Sequence, residues 1–278
     1  MILVTGGRGS VAAGLLALLR ADGHAVRVGS ARPGELPADV AAVACDLQDP
    51  RTFATALHDV SSVFLYAEAA HIAEFVTVAA ESGVDHIVLL SSSSTLDPDA
   101  ATNPVAKSHL DAELGLADAP MNVTVLRPGA FAGNARGWAW AIRAGRPVRL
   151  PYPGAYADPI HELDLATVAH ALLTRPDHRG HPHTLTGPQT LTFTEQLELI
   201  GEIIDHRIDI EQVPPEVWRA EVADYIPATY ADGLLDYWAR CDGVPSPLSD
   251  AVETITGRPA RSFGQWVHEH RDVFDPGA

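Results

Sequence analysis

Residues 1–14, MILVTGGRGSVAAG, constrain this chain more than any other stretch. Ile2-Leu3-Val4 is a short apolar run of the length a buried strand needs. Thr5 and the glycines Gly6, Gly7 and Gly9 follow at once. An amphipathic helix pattern comes next, with Val11, Leu15, Leu18 and Leu19 on one side. Strand, glycine turn and helix in that order form the start of a dinucleotide-binding βαβ unit. The turn must be tight and its backbone must approach a pyrophosphate closely, so residues without a Cβ are required. The first N–H groups of the helix then point at the anion. Gly6-x-x-Gly9-x-x-Ala12 has the TGxxGxx[GA] spacing, with Ala12 small enough for close helix–strand packing. The expected cradle is Thr5, Gly6, Gly7, Arg8, Gly9, Ser10 and Val11.

The rest of the first half alternates strands and helices. Further strands are expected at 25–28, 40–45, 63–66, 86–90 and 123–126, with helices at 50–58, 72–82 and 105–116 between the later ones. Such alternation implies an α/β fold, a doubly wound parallel Rossmann sheet with right-handed crossovers. After Arg127-Pro128-Gly129 the pattern loosens, apart from a helix at 163–173 and a short strand at 183–187. The expected division is a nucleotide-binding domain over 1–190 and a small, mainly helical C-terminal substrate lobe over 191–278, with the substrate held between them. Trp218, Tyr225, Tyr230 and Trp238 are expected in the core of that lobe.

Composition narrows the partners. Thirty-six acidic and 19 basic residues give a formal charge of −17, which argues against nucleic-acid and anionic-membrane partners, since both require a basic face. Two cysteines, Cys45 and Cys241, fit a reducing cytoplasm and no disulfide framework. Met1 leads directly into a core strand, leaving no room for a leader. No apolar run reaches the roughly 18 to 20 residues that span a bilayer. A small-molecule substrate is expected, and the sequence leaves room for a homodimer.

TGGRGSVAAG, CDLQDP, HIVLLSSSS, VTVLRPGAF, PIHELDLATVAHALL, HTLTGPQTLTFTEQ and TGRPARSFGQWVHEH together resemble the NmrA-like, atypical short-chain dehydrogenase/reductase family. The resemblance covers nearly the whole chain. It implies NAD(P)H binding and, often, reduction of a quinone, ketone or activated alkene. It also implies two alternatives, a redox sensor without turnover and a cyclase or isomerase on the same scaffold.

Cofactor preference is read from charge. A carboxylate at the end of the second strand would clamp the ribose 2′-OH of NAD and repel a 2′-phosphate. Gly29-Ser30-Ala31-Arg32 stands there without an acid, while Arg8 and Arg32 can reach a 2′-phosphate and Ser30 can donate to it. NADP(H) is therefore expected over NAD(H). Asp46-Leu47 matches the family's adenine-contacting pair, with a helix-capping Asp as the alternative. Expected nucleotide contacts extend to Tyr66 and Ala67, Ser91, Lys107, and Pro128 and Gly129.

The catalytic set departs from the family's Ser and YxxxK. Ser92 ends the fifth strand and Lys107 lies on the right helix, but the position four before it is Asn103, and an amide is no general acid. Tyr152 is the first candidate to replace the missing donor, with Tyr156, His161 and water as others; His161 more readily serves a structural turn. Phe131, Trp138 and His71 are expected at the substrate wall. The run His178-Arg179-Gly180-His181-Pro182-His183 invites a metal reading, but its glycine and proline favour a solvated loop, so no metal is expected.

Overall fold

The apolar runs of the first half fold as parallel strands in the computed structural model, which describes residues 1–37 and 40–275. The chain groups into two units, and the cuts are not where a single boundary near residue 190 would put them. The first unit comprises Met1–Pro128, Glu162–Leu185 and Ala251–Arg258; the second comprises Gly129–His161, Thr186–Asp250 and the chain from Pro259 onward. Elements are numbered in chain order.

The first unit holds β1 (Ile2–Val4), α1 (Ser10–Ala21), β2 (Val26–Ser30), β3 (Ala42–Ala44), α2 (Phe53–Leu57), β4 (Ser62–Tyr66), α3 (Ile72–Glu81), β5 (His86–Leu90), α4 (Pro104–Leu116), β6 (Asn122–Pro128), α6 (Glu162–Thr174), β9 (Pro182–Leu185) and α10 (Ala251–Thr256). Seven strands form one sheet in the order β3-β2-β1-β4-β5-β6-β9, every neighbouring pair parallel. β1 and β5 are buried along their whole length, as continuous Ile/Leu/Val runs require when helices cover both faces. At the edge, β3 is only three residues long and two of them are exposed, so the expected strand over 40–45 contracts. Leu3, Val63, Leu65, Ile87 and Leu89 pack under Phe53, Leu57, Phe75 and Leu116 as one apolar layer. Cys45 is a free thiol in this layer. Burial, and after it the Asp46 carboxylate, pushes the thiol up to about 12 and makes it an inert apolar group.

Strand order reverses at β1, which has β2 on one side and β4 on the other. In open parallel sheets that reversal opens a crevice at the carboxyl ends of the strands. The glycine turn therefore leaves the sheet at the crevice where open parallel sheets of this kind bind ligands.

The second unit holds α5 (Ala139–Arg143), β7 (Val148–Leu150), β8 (Tyr156–Ala157), β10 (Leu191–Thr192), α7 (Phe193–Ile204), β11 (Ile210–Gln212), α8 (Pro215–Glu221), α9 (Ala228–Cys241), α11 (Phe263–Glu269) and α12 (Arg271–Phe274). It is not purely helical, because β8 pairs with β10 and β7 with β11. A capping box starts α7, with Thr192 and Glu195 each satisfying the other's backbone N–H. Edge-to-face rings run from Trp138 through Phe193 and Trp238 to Trp218. Trp218 and Trp238 are core residues as expected. Tyr225 and Tyr230 are not; they stand 72% and 45% exposed. Among the described residues no helix is long and apolar enough to cross a membrane.

Candidate active site

The centre of the site is a buried hydroxyl. Thr5 Oγ1 donates to the Phe64 carbonyl at 3.1 Å and accepts the Tyr66 N–H at 2.9 Å, tying the end of β1 to β4. Immediately after it Gly6 takes φ +65°, a left-handed value that a side chain would strain. Gly9 N–H closes the turn on the Gly6 carbonyl at 2.8 Å, and Gly9 is the N-cap of α1 with no side chain capping it. The first N–H groups of α1 therefore have no intrahelical acceptor and face the turn. This is the arrangement an anionic pyrophosphate requires.

Tyr66 adds a constraint not visible in the sequence. Its ring lies against the turn so closely that a Cβ on Gly6 would sit 2.4 Å from ring carbon Cδ2, and one on Gly9 would sit 2.5 Å from the hydroxyl. Burial raises the Tyr66 pKa, with the Ala12 backbone opposing it, so the phenol stays neutral. Gly6 is thus required twice, for its backbone conformation and for this ring, whereas Gly9, in ordinary extended backbone, is required for the ring alone.

The end of β2 corrects the acid-free reading. A single 3-10 turn, Pro33–Glu35, brings Glu35 back so that its two carboxylate oxygens bind Arg8 at 2.9 Å and Arg32 at 3.0 Å. An acid does stand beside the expected 2′-phosphate position, held there by the two arginines that were to bind the phosphate. It was missed because it lies beyond the strand end where such acids are sought. Ser30 is buried, and its Oγ accepts the Arg32 N–H at 3.1 Å, which fixes this turn. Asp46 accepts the Gln48 N–H at 3.0 Å and shapes its own turn, while Asp49 is the residue that caps the next helical segment. Leu47 and Ala67 are half-buried beside the apolar layer.

Ser91 is buried and donates to Glu113 at 2.5 Å. Glu113 also takes a two-point contact from Arg127 and the Thr95 hydroxyl, so α4, β5 and β6 meet at one carboxylate. Burial works against its ionisation; Arg127 and Ser91 outweigh that and hold it below the usual carboxylate range. Ser92 differs from Ser91. Its Oγ accepts from the Ser94 N–H at 3.2 Å and the Ser94 hydroxyl at 2.9 Å, which occupies both lone pairs and leaves its own O–H to donate.

Asn103 has a structural reason to be there. It is the N-cap of α4, its Oδ1 accepting from Val105 and Ala106, so the position four before Lys107 is a helix cap and not a helix face. Lys107 pairs with Asp111 on the exposed side of α4, and its side chain is half exposed. His71 precedes α3, with Nδ1 3.4 Å from Glu74.

The remaining candidates lie in the second unit. Phe131 bridges to Ile160, Trp138 packs on Phe193, and the half-buried Tyr152 contributes to both apolar clusters there. His161 is buried and lies 3.1 Å from the Glu269 carboxylate, a partner the sequence did not indicate. Beneath Gly129 lies Asp158, which the sequence did not single out. It accepts the Ala130 N–H at 3.1 Å and fills the space a Cβ on Gly129 would need, 2.2 Å away. In the 178–183 run, His183 Nε2 donates to the His178 carbonyl, and these histidines gather no ligand set.

A sequence model of the NAD(P)H-binding family matches residues 6–176. A (4-alkanoyl-5-oxo-2,5-dihydrofuran-3-yl)methyl phosphate reductase of Streptomyces griseus is 30% identical over 99% of this chain and 100% of its own length. An NAD(P)H azoreductase of Xenophilus azovorans is 28% identical over 99% of both chains. The structure of an NADPH-dependent quinone oxidoreductase from Escherichia coli superposes with a TM-score of 0.82 at 20% identity, covering 97% of this chain and 99% of that one, which shows a shared fold. The chain belongs to the NAD(P)H-binding, NmrA-like group of atypical short-chain dehydrogenases/reductases.

Asp158 yields a test of the site's electrostatics. Burial raises its carboxyl to about 6, against the opposing Ala130 N–H. A folded pKa above the unfolded value means its contribution to stability is fully present below about pH 4 and is lost as pH rises through about 6. Asp158→Asn keeps an acceptor for Ala130 and removes the titration. Its stability relative to wild type should improve by about 2 to 3 kcal/mol between pH 4 and pH 7.5 in urea unfolding. Parallel pH profiles would refute the assignment.

Proposed function

We propose that this chain is an NADPH-dependent reductase of a small quinone-like, ketone or enone acceptor, working in the cytoplasm. The observation that carries the reading is the paired cradle: uncapped N–H groups of α1 for the pyrophosphate, and Arg8 with Arg32 at the end of β2. Two guanidinium groups and one carboxylate leave net positive charge there. Exposed ion pairs such as these are worth about 0–1 kcal/mol, so Glu35 is cheaply displaced. Hydrogen bonds to charged groups contribute about 1.5–3 kcal/mol each, so a 2′-phosphate outcompetes it. Glu35 stays within reach to accept the 2′-OH of NADH, which keeps the second cofactor usable. Cys45 and Cys241 form no disulfide, which fits a reducing compartment.

When bound, the nicotinamide supplies a hydride. Ser92 donates its remaining O–H to the acceptor oxygen and so stabilises the negative charge that develops there. Lys107 leaves its weak surface pair with Asp111 to hold the nicotinamide ribose. Asn103 contributes no proton. An acceptor that becomes a stabilised phenolate needs none from the protein, because solvent can protonate it afterwards. Quinone-like acceptors fit this set better than simple ketones. The reductase names of the two relatives support the reading.

The test follows NADPH oxidation against a panel of quinones, enones and ketones. Quinones should turn over fastest, and nucleotide binding without oxidation by any acceptor would favour a sensor. Arg32→Glu should weaken NADPH by roughly tenfold or more and NADH by less. Glu35→Gln should do the reverse, tightening NADPH relative to NADH by a few-fold. An unchanged NADPH/NADH ratio in both variants would refute the 2′-phosphate assignment.

A further inference from the structure

The far end of α1 carries a second cluster of chemistry-bearing side chains, in the first unit and unrelated to the nucleotide. Asp22, His24 and His170 each offer one ligand atom, and the three atoms lie within 4.8 Å of one another. We propose that they form a binding site for a divalent transition-metal ion of the zinc class, bracing α1 against α6.

The frame for the site is fixed by backbone chemistry. Helix α1 ends in a Schellman turn: Gly23, at φ +75°, donates to the Arg20 carbonyl at 3.0 Å, and His24 donates to the Leu19 carbonyl at 2.9 Å. Asp22 and His24 therefore flank a glycine whose conformation is set, and both side chains are exposed at the helix terminus. Helix α6 approaches α1 closely, since a Cβ on Gly14 would lie 3.1 Å from Ala166. One turn beyond Ala166, His170 brings Nε2 to 2.9 Å from Asp22 Oδ2.

That nitrogen is buried and, despite the short approach, makes no hydrogen bond. The carboxylate lies near it without the alignment a donated proton would need. Zinc holds imidazole nitrogen and carboxylate oxygen at about 2.0–2.2 Å, which places donors on a shared tetrahedral ion roughly 3.4 Å apart. His170 Nε2 and Asp22 Oδ2 are 2.9 Å apart, so a small turn of the exposed Asp22 side chain brings them to that spacing. The His24 ring is 6.2 Å from that of His170, centroid to centroid, and being exposed it can turn its nitrogen inward. Two imidazoles and a carboxylate suit zinc, nickel or copper better than calcium or magnesium, which prefer all-oxygen sets. The negative end of the α1 dipole adds to the attraction for a cation. Water completes the coordination.

The twelve residues of α1 put this site about 18 Å from the glycine turn. The ion would act on stability, not on hydride transfer. The His178–His183 loop is the rival binder on this histidine-rich chain, so the experiment must separate the two.

The test uses untagged full-length protein, titrated calorimetrically with zinc chloride and spectroscopically with cobalt(II). Wild type should bind one ion per chain with a Kd of about 10 μM or tighter. Zinc should raise the thermal unfolding midpoint, and a chelator should reverse the rise. His24→Gln and Asp22→Asn, both at exposed positions, should each weaken binding by roughly tenfold or more and abolish the zinc-dependent rise. His181→Gln should change neither, and NADPH affinity should be the same in all four proteins. No saturable site in wild type, wild-type affinity in His24→Gln, or loss that follows His181→Gln would each overturn the proposal.

Discussion

One buried hydroxyl fixes the turn on which the proposed nucleotide site depends. Thr5 Oγ1 donates to β4 through Phe64 and accepts from it through Tyr66, at the one strand where sheet order reverses. Locking β1 to β4 there fixes the next residue, Gly6, in a left-handed turn and aims the start of α1 across the end of the sheet. The Tyr66 ring, held at the end of β4, then leaves space only for glycine at positions 6 and 9. A hydrogen bond, a backbone angle and a ring contact thus specify the same short segment. Such agreement between levels is what makes a local sequence encode one geometry.

Charge placement around that segment does the discriminating. The Arg8–Glu35–Arg32 group holds the two guanidiniums proposed to recognise a 2′-phosphate together with a carboxylate that occupies them in its absence. Whether such a group reads as selective for NADPH depends on how cheaply the internal anion leaves. Here all three side chains are about half exposed, so it leaves cheaply. Deeper in the sheet, Glu113 gathers Ser91, Thr95 and Arg127 and engages the Ser91 hydroxyl, the side chain expected at the nucleotide. Ser92, one residue on, keeps a free donor because Ser94 fills its acceptor positions.

What was legible in the sequence follows from the range of the forces involved. Strands β1, β4, β5 and β6, and the glycine turn, are written in contiguous residues, since burial on both sheet faces demands unbroken apolar runs. Asn103 was also legible as a missing acid, and the structure adds why it is there: it caps α4. Glu35 was not, because a 3-10 turn had to carry it back to the end of β2. Asp158 could not be singled out either, since its raised pKa comes from burial beneath Gly129. The histidines teach the same lesson. Those adjacent in sequence at 178–183 do not gather, whereas His24 and His170, remote in sequence, meet through the packing of α6 on α1. Tyr230 lies on the solvent side of α9 and Tyr225 in the turn that precedes it, which composition alone does not reveal.

The turn from Thr5 to Gly9 is proposed to hold a dinucleotide. The most direct measurement is a calorimetric titration of the wild-type protein with NADPH in the absence of any acceptor. One site per chain is expected, with a Kd in about the micromolar range, tighter than for NADH under the same conditions. A protein that is folded by circular dichroism yet releases no heat of binding with either nucleotide would contradict it.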